Sequence, residues 1–160
     1  MRERKLLDYP GSKLEALNRE RGAFVTLKIK GELRGCIGYV SPIKPLALTV
    51  RDVAASAAVE DTRFKPVPVQ ELGSLEYEIS VLSPMRRVLD VKDIKVGRDG
   101  LVMLQGRYEG LLLPQVSTEQ GWDRTTFLNK TCAKAGLPED CWRDDRTDIF
   151  SFTALVLDEL

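Results

Sequence analysis

The sequence contains no histidine among its 160 residues. That removes serine or cysteine nucleophiles activated by an imidazole of the same chain, and with it the commonest transition-metal ligand. Proton transfer is left to carboxylates, Lys, Tyr, Cys or a ligand. Net charge is also missing: 24 basic residues balance 24 acidic ones, with no long run of either sign. Nucleic-acid binding driven by phosphate neutralisation is therefore disfavoured. No apolar run approaches the roughly 18 residues of a membrane span, and the start MRERKLLDYPGS lacks the apolar centre of a secretory leader. A cytoplasmic address without membrane contact is expected. Cysteine is scarce: Cys36, Cys132 and Cys141 form an odd set without a CxxC pair, which reads as three reduced thiols, with neither a disulfide frame nor a metal site.

What is present is ordinary for a globular chain, 43% hydrophobic and long enough for one domain or a pair of lobes. From residue 23, AFVTLKIK and LRGCIGYV are β-rich runs joined by Gly31-Glu32, a Gly-X pair suited to a type II′ hairpin. Leu46, Val50, Val53, Ala54 and Ala57 then recur at helical spacing. After the Pro-punctuated loop TRFKPVPVQELGS comes a strand, LEYEISVL. The second half repeats the order. LVMLQ and YEGLLLPQV flank Gly106-Arg107, Ser117 and Gln120 form a capping box, a helix through WDRTTFLNKTCAKA stops at Gly136, and IFSFTALVL closes the unit.

One offset relates the halves. Gly31 and Gly106, Gly35 and Gly110, Ala57 and Cys132, Tyr77 and Phe152, and Val81 and Val156 are each 75 positions apart. The expected fold class is α+β, with two pseudo-repeated ββαβ units in one compact or two-lobed domain spanning 1–160. The first unit is 23–82 and the second 100–157, with 83–99 as connector and 1–22 as a peripheral segment.

LRGCIG, together with DTRFKPV, LEYEISVLSP, GRDGLVM, GLLLPQV, GWDRTTFLNKTCAKAGL and FSFTALV, closely resembles the AMMECR protein family, whose signature is the RGCIG element. The resemblance runs from about residue 23 to the end. It implies an α+β fold with a duplicated core and a cleft near RGCIG. It implies no cofactor and no agreed reaction, but it suggests a pathway shared with Memo-like and radical SAM proteins. Two departures stand out. The longer N-terminal helix of many members is not apparent, and Tyr39 stands where a small hydroxyl residue commonly follows the signature.

The candidate site gathers around that signature. A hairpin about Gly31-Glu32 sets Leu27 opposite Cys36, Ile29 opposite Arg34 and Val25 opposite Gly38, so Cys36 reads first as a packed thiol with Leu111 as its twin. As a nucleophile it would depend on Arg34 for its thiolate. Gly35 recurs as Gly110 and reads as a point where another backbone comes close, whereas Gly38 and Arg34 have Leu113 and Glu109 as counterparts. Arg34 is a candidate donor to an anion, or else a partner of Glu109. Asp61, Arg63 and Phe64 form a second candidate ligand loop, with a surface ion pair as the simpler reading. Gln115, Trp122 and Asp123 surround the start of the second helix, where free N–H groups could receive an anion. Glu76 and Glu78 share a strand face that reads as solvated.

Three functions compete: a binding or accessory module for a small anionic ligand or a protein partner, an enzyme with Cys36 as nucleophile, and, more weakly, a nucleic-acid binder.

Overall fold

Alternation in AFVTLKI builds the first strand. The computed structural model describes residues 6–159, so the basic start at residues 1–5 lies outside the described residues. A short helix, α1 (Glu15–Asn18), precedes β1 (Ala23–Ile29). β1 buries Ala23, Val25 and Leu27 and leaves Phe24, Thr26 and Lys28 half-buried on its other face.

β2 (Glu32–Tyr39) returns antiparallel to β1. Its turn is Lys30-Gly31, one residue earlier than the sequence suggests, because Ile29 pairs with Glu32. Both turn residues have positive φ, 52° and 78°, the type I′ geometry that matches strand twist. A reading that allowed positive φ only to glycine placed the turn one position too late.

A second difference follows within four residues. Lys28 pairs with Leu33 but Leu27 pairs with Gly35, leaving Arg34 as the extra residue of a β-bulge. Beyond it Cys36 faces Thr26, not Leu27, and Gly38 faces Phe24, not Val25.

α2 (Leu46–Val59) covers the Val25 and Leu27 face with Val53 and Ala57. β3 (Glu76–Leu82) adds to the far side of β1, giving the order β2-β1-β3. Residues 83–99 hold a short strand, β4 (Arg86–Arg87), and a single 3₁₀ turn at Val91–Asp93.

The second half repeats the plan. β5 (Asp99–Gln105) and β6 (Tyr108–Leu112) join at Gly106-Arg107 as expected. α3 (Pro114–Glu119), α4 (Arg124–Lys134) and β7 (Asp148–Asp158) complete it in the order β6-β5-β7, with β4 paired to β7. Met103, Phe127, Leu128 and Cys132 lie at the centre of its core. The fold is α+β, built of two ββαβ units with the same strand order. By compactness the chain divides after Leu82 and after Ala154. Ser83–Ala154 is one unit, and Leu155 onward returns to the other.

Two expectations fail in the second unit. Ser117 sits inside α3, its hydroxyl donating to the Pro114 carbonyl, and α4 is capped by Asp123, which accepts from the Thr126 N–H at 2.8 Å. Cys132 and Cys141 form a disulfide. Gly136, with φ of 77°, ends α4, and the chain returns through a 3₁₀ turn at Cys141–Arg143, which brings the second sulfur back beside the first. Among the described residues no helix is long and apolar enough to cross a membrane.

Candidate functional site

β2 is the outer strand of its unit, so its outward N–H groups need partners. Asp61, two residues past α2, supplies one. Its Oδ2 accepts from the Cys36 N–H at 2.9 Å. The same carboxylate grips Arg63: Oδ1 accepts from the backbone N–H and from Nε, at 3.1 and 3.0 Å, and Oδ2 from Nη2 at 2.7 Å. The Arg63 guanidinium, aided by the two backbone N–H donors, holds the Asp61 carboxyl well below the usual carboxylate range, outweighing the effect of burial.

A pH prediction follows. A carboxylate with a depressed folded-state pKa contributes stability above its ordinary value near 3.8, and that contribution is lost as the pH falls below it. Asp61→Asn should therefore be less stable than wild type near neutrality. Urea titrations should show the gap narrowing between about pH 5 and pH 2.5, and a gap independent of pH would contradict this account.

Arg34, the bulge residue, is tied down as well. Its Nε donates to Glu71 at 2.7 Å and its Nη1 to the Lys65 carbonyl at 2.8 Å. The partner is Glu71 of the same unit, not Glu109. Gly35 lies under the end of α2, where a Cβ would meet the Ala57 carbonyl oxygen at 2.3 Å. The space of the missing Gly38 side chain is filled by Phe24, whose ring carbon lies 2.5 Å from where a Cβ would stand.

Cys36 is half-buried, and its sulfur accepts from the Thr26 hydroxyl at 3.2 Å. The expected packing against Leu27 is therefore incorrect. Leu111 pairs with Val102 as predicted and follows Gly110 under the end of α4, just as Cys36 follows Gly35 under the end of α2 and pairs with Thr26.

Arg63 carries this edge's available charge. Its side chain is 57% exposed, its guanidinium lies 5.5 Å from the centroid of the Phe64 ring, and Nη1 has no hydrogen-bond partner among the described residues. Arg34, Gly35, Cys36, Gly38, Asp61, Arg63 and Phe64 all belong to the first unit. Gln115 and Trp122 belong to the second. Gln115 is half-buried in α3, and Trp122 packs against the Phe127 core. The Asp123 carboxylate already occupies the start of α4 where an anion was expected. Glu78 bonds Lys28 at 2.7 Å, and Glu76 is exposed. Among the described residues no group of three or more His, Cys, Asp or Glu side chains is placed to hold a metal ion.

Sequence reasoning missed Thr26, Lys65 and Glu71. Thr26 emerges only once the bulge is counted. The D-x-R spacing was a usable signal, since Asp144 and Arg146 repeat the arrangement: the carboxylate accepts from the N–H two residues on and from the guanidinium at 2.7 Å.

The family model described as AMMECR1 matches residues 1–157. A protein from Methanothermobacter thermautotrophicus is 46% identical over 166 residues, covering 99% of this chain and 86% of that one. One from Nanoarchaeum equitans is 41% identical, covering 98% and 91%. The crystal structure of an uncharacterised protein from Pyrococcus horikoshii superposes with a TM-score of 0.89 at 44% identity, covering 96% of this chain and 80% of that one.

Proposed function

The chain belongs to the AMMECR1 family, and from that premise we propose that it is a cytoplasmic binding and accessory module whose RGCIG edge receives the anionic group of a small ligand or of a partner segment. One observation carries the reading: Arg63 is held rigid by Asp61 over Phe64 with part of its guanidinium unbonded, beside the half-exposed Cys36. A cation fixed in this way loses little freedom when it takes up an anion. Memo-like and radical SAM proteins are the candidate partners.

The reading of Cys36 as a nucleophile has less support. Asp61 is the carboxylate bonded at Cys36, and a carboxylate saturated by Arg63 and the Cys36 N–H is a weak base.

The test is a thermal-shift screen of carboxylates and phosphate esters, run beside co-purification with a Memo-like and a radical SAM protein. Arg63→Ala should weaken whichever interaction is found by about tenfold or more. An absence of any stabilising anion together with no association at micromolar concentration would reject the proposal.

A further inference from the structure

The second unit carries an independent pair of hollows. Two cavities of about 280 Å³ each share Arg86, Arg98 and Ser151 in their walls. The strand register explains the gathering. Arg86 of β4 faces Ser151 of β7, and Asp99 of β5 faces Thr153, so all four sit at one corner of the sheet. The first cavity adds Ser83 and Thr153, and the second adds Val88, Leu89 and Ile94.

Two arginines there differ in how they are held. Arg98 is clamped by the buried Asp99, with Nε at 2.7 Å from Oδ1 and Nη2 at 2.8 Å from Oδ2, and Nη2 also reaches the Asp93 carbonyl. Asp99 is fixed in turn by the Lys95 N–H at 2.9 Å. Among the described residues the Nη1 of Arg98 has no partner. The Arg86 guanidinium and the Ser151 and Thr153 hydroxyls likewise have no hydrogen-bond partner within the described chain. The adjacent Arg87, by contrast, lies beside the Asp148 carboxylate. Here one guanidinium is preorganised, a second is unpaired, and two hydroxyl-bearing residues line the same cavity.

We propose that this corner binds a phosphate monoester, with its phosphate between Arg86 and Arg98 and its organic part against Val88, Leu89 and Ile94. A tetrahedral phosphate offers three terminal oxygens to two guanidiniums and two hydroxyls, more acceptors than a carboxylate provides. In the first cavity the two arginines outnumber the single carboxylate, Asp99, which is already spent on Arg98. The wall of the second also includes Asp93, whose negative charge disfavours a second anion there.

The probe is phenyl phosphate, titrated calorimetrically into the full chain at constant ionic strength, with inorganic phosphate, sulfate and benzoate as comparisons. Phenyl phosphate should bind with Kd at or below about 1 mM and several-fold more tightly than inorganic phosphate. Arg86→Ala should lose about tenfold or more in affinity. It should also keep the ligand-free melting temperature, because Arg86 supports nothing else. Ser151→Ala should lose a smaller factor. Arg63→Ala, at the first-unit edge, should bind phenyl phosphate as wild type does. The inference is overturned if phenyl phosphate does not bind, if sulfate and benzoate bind equally well, if Arg86→Ala binds unchanged, or if Arg63→Ala loses the binding instead.

Discussion

Replacing Gly35 by alanine should lower the melting temperature by roughly 5–10 °C. The added methyl would stand 2.3 Å from the Ala57 carbonyl oxygen, and the obstacle is helix backbone, which cannot rotate aside as a side chain can. Either α2 lifts away from Val25 and Leu27, or the bulge at Arg34 is displaced and the Asp61 contact to Cys36 goes with it. Overpacking of this kind costs about 1–3 kcal/mol or more. Gly110→Ala should behave alike, since its methyl would meet the Ala135 N at 2.3 Å beneath the end of α4. Gly73→Ala is the control: nothing lies within 4 Å of its added Cβ and its φ is not positive, so it should melt within about 1 °C of wild type. Thermal unfolding followed by circular dichroism reads all three, and equal behaviour of Gly35→Ala and Gly73→Ala would refute the close-approach account.

Reduction of the Cys132–Cys141 disulfide should cost a comparable amount. The bridge joins residues nine apart, and on the chain-entropy model a loop that short is worth about 2.5 kcal/mol, or roughly 5–10 °C for a chain of this size. Both cysteines are buried, so reduction should require strong reductant or partial unfolding. Ellman titration in denaturant gives the direct count. One thiol per chain, Cys36, should react without reductant, and three after reduction. Three reactive thiols without reductant would show the bridge absent in solution.

Much of the architecture was legible because it rests on period and repetition. The alternation of β1, the helical spacing of Leu46 through Ala57 and the repeated order of elements all describe backbone, and the structure returns them in order, although the registers do not keep one offset: Gly31 is the second residue of its turn and Gly106 the first. The glycine pair at 35 and 110 was legible for the same reason, since both copies need a helix end to approach a strand. What was not legible depended on single-residue events. The bulge at Arg34 inverts the face of every later residue in β2, and no periodicity marks it because one unpaired residue leaves the composition unchanged. The disulfide was hidden by an argument from compartment, while the Gly136 reversal that creates it was already in view. The salt bridge of Arg34 required knowing that a Pro-rich loop folds back along the edge of β2, which brings Glu71 and Lys65 within reach.

β7 has a consequence for the order of assembly. Its early residues pair with β5, while Leu155 onward pairs in the first unit, where the Glu159 N–H donates to the Tyr77 carbonyl. A ribosome emitting this chain completes residues 83–154 before it delivers the strand that flanks β3. The first unit, though synthesised earlier, must wait with that side of β3 unpaired until the second has been made. Maturation of the amino-terminal half is thus gated by translation of the carboxy-terminal half, and nascent chains halted near residue 150 should leave the first unit protease-sensitive while longer ones protect it.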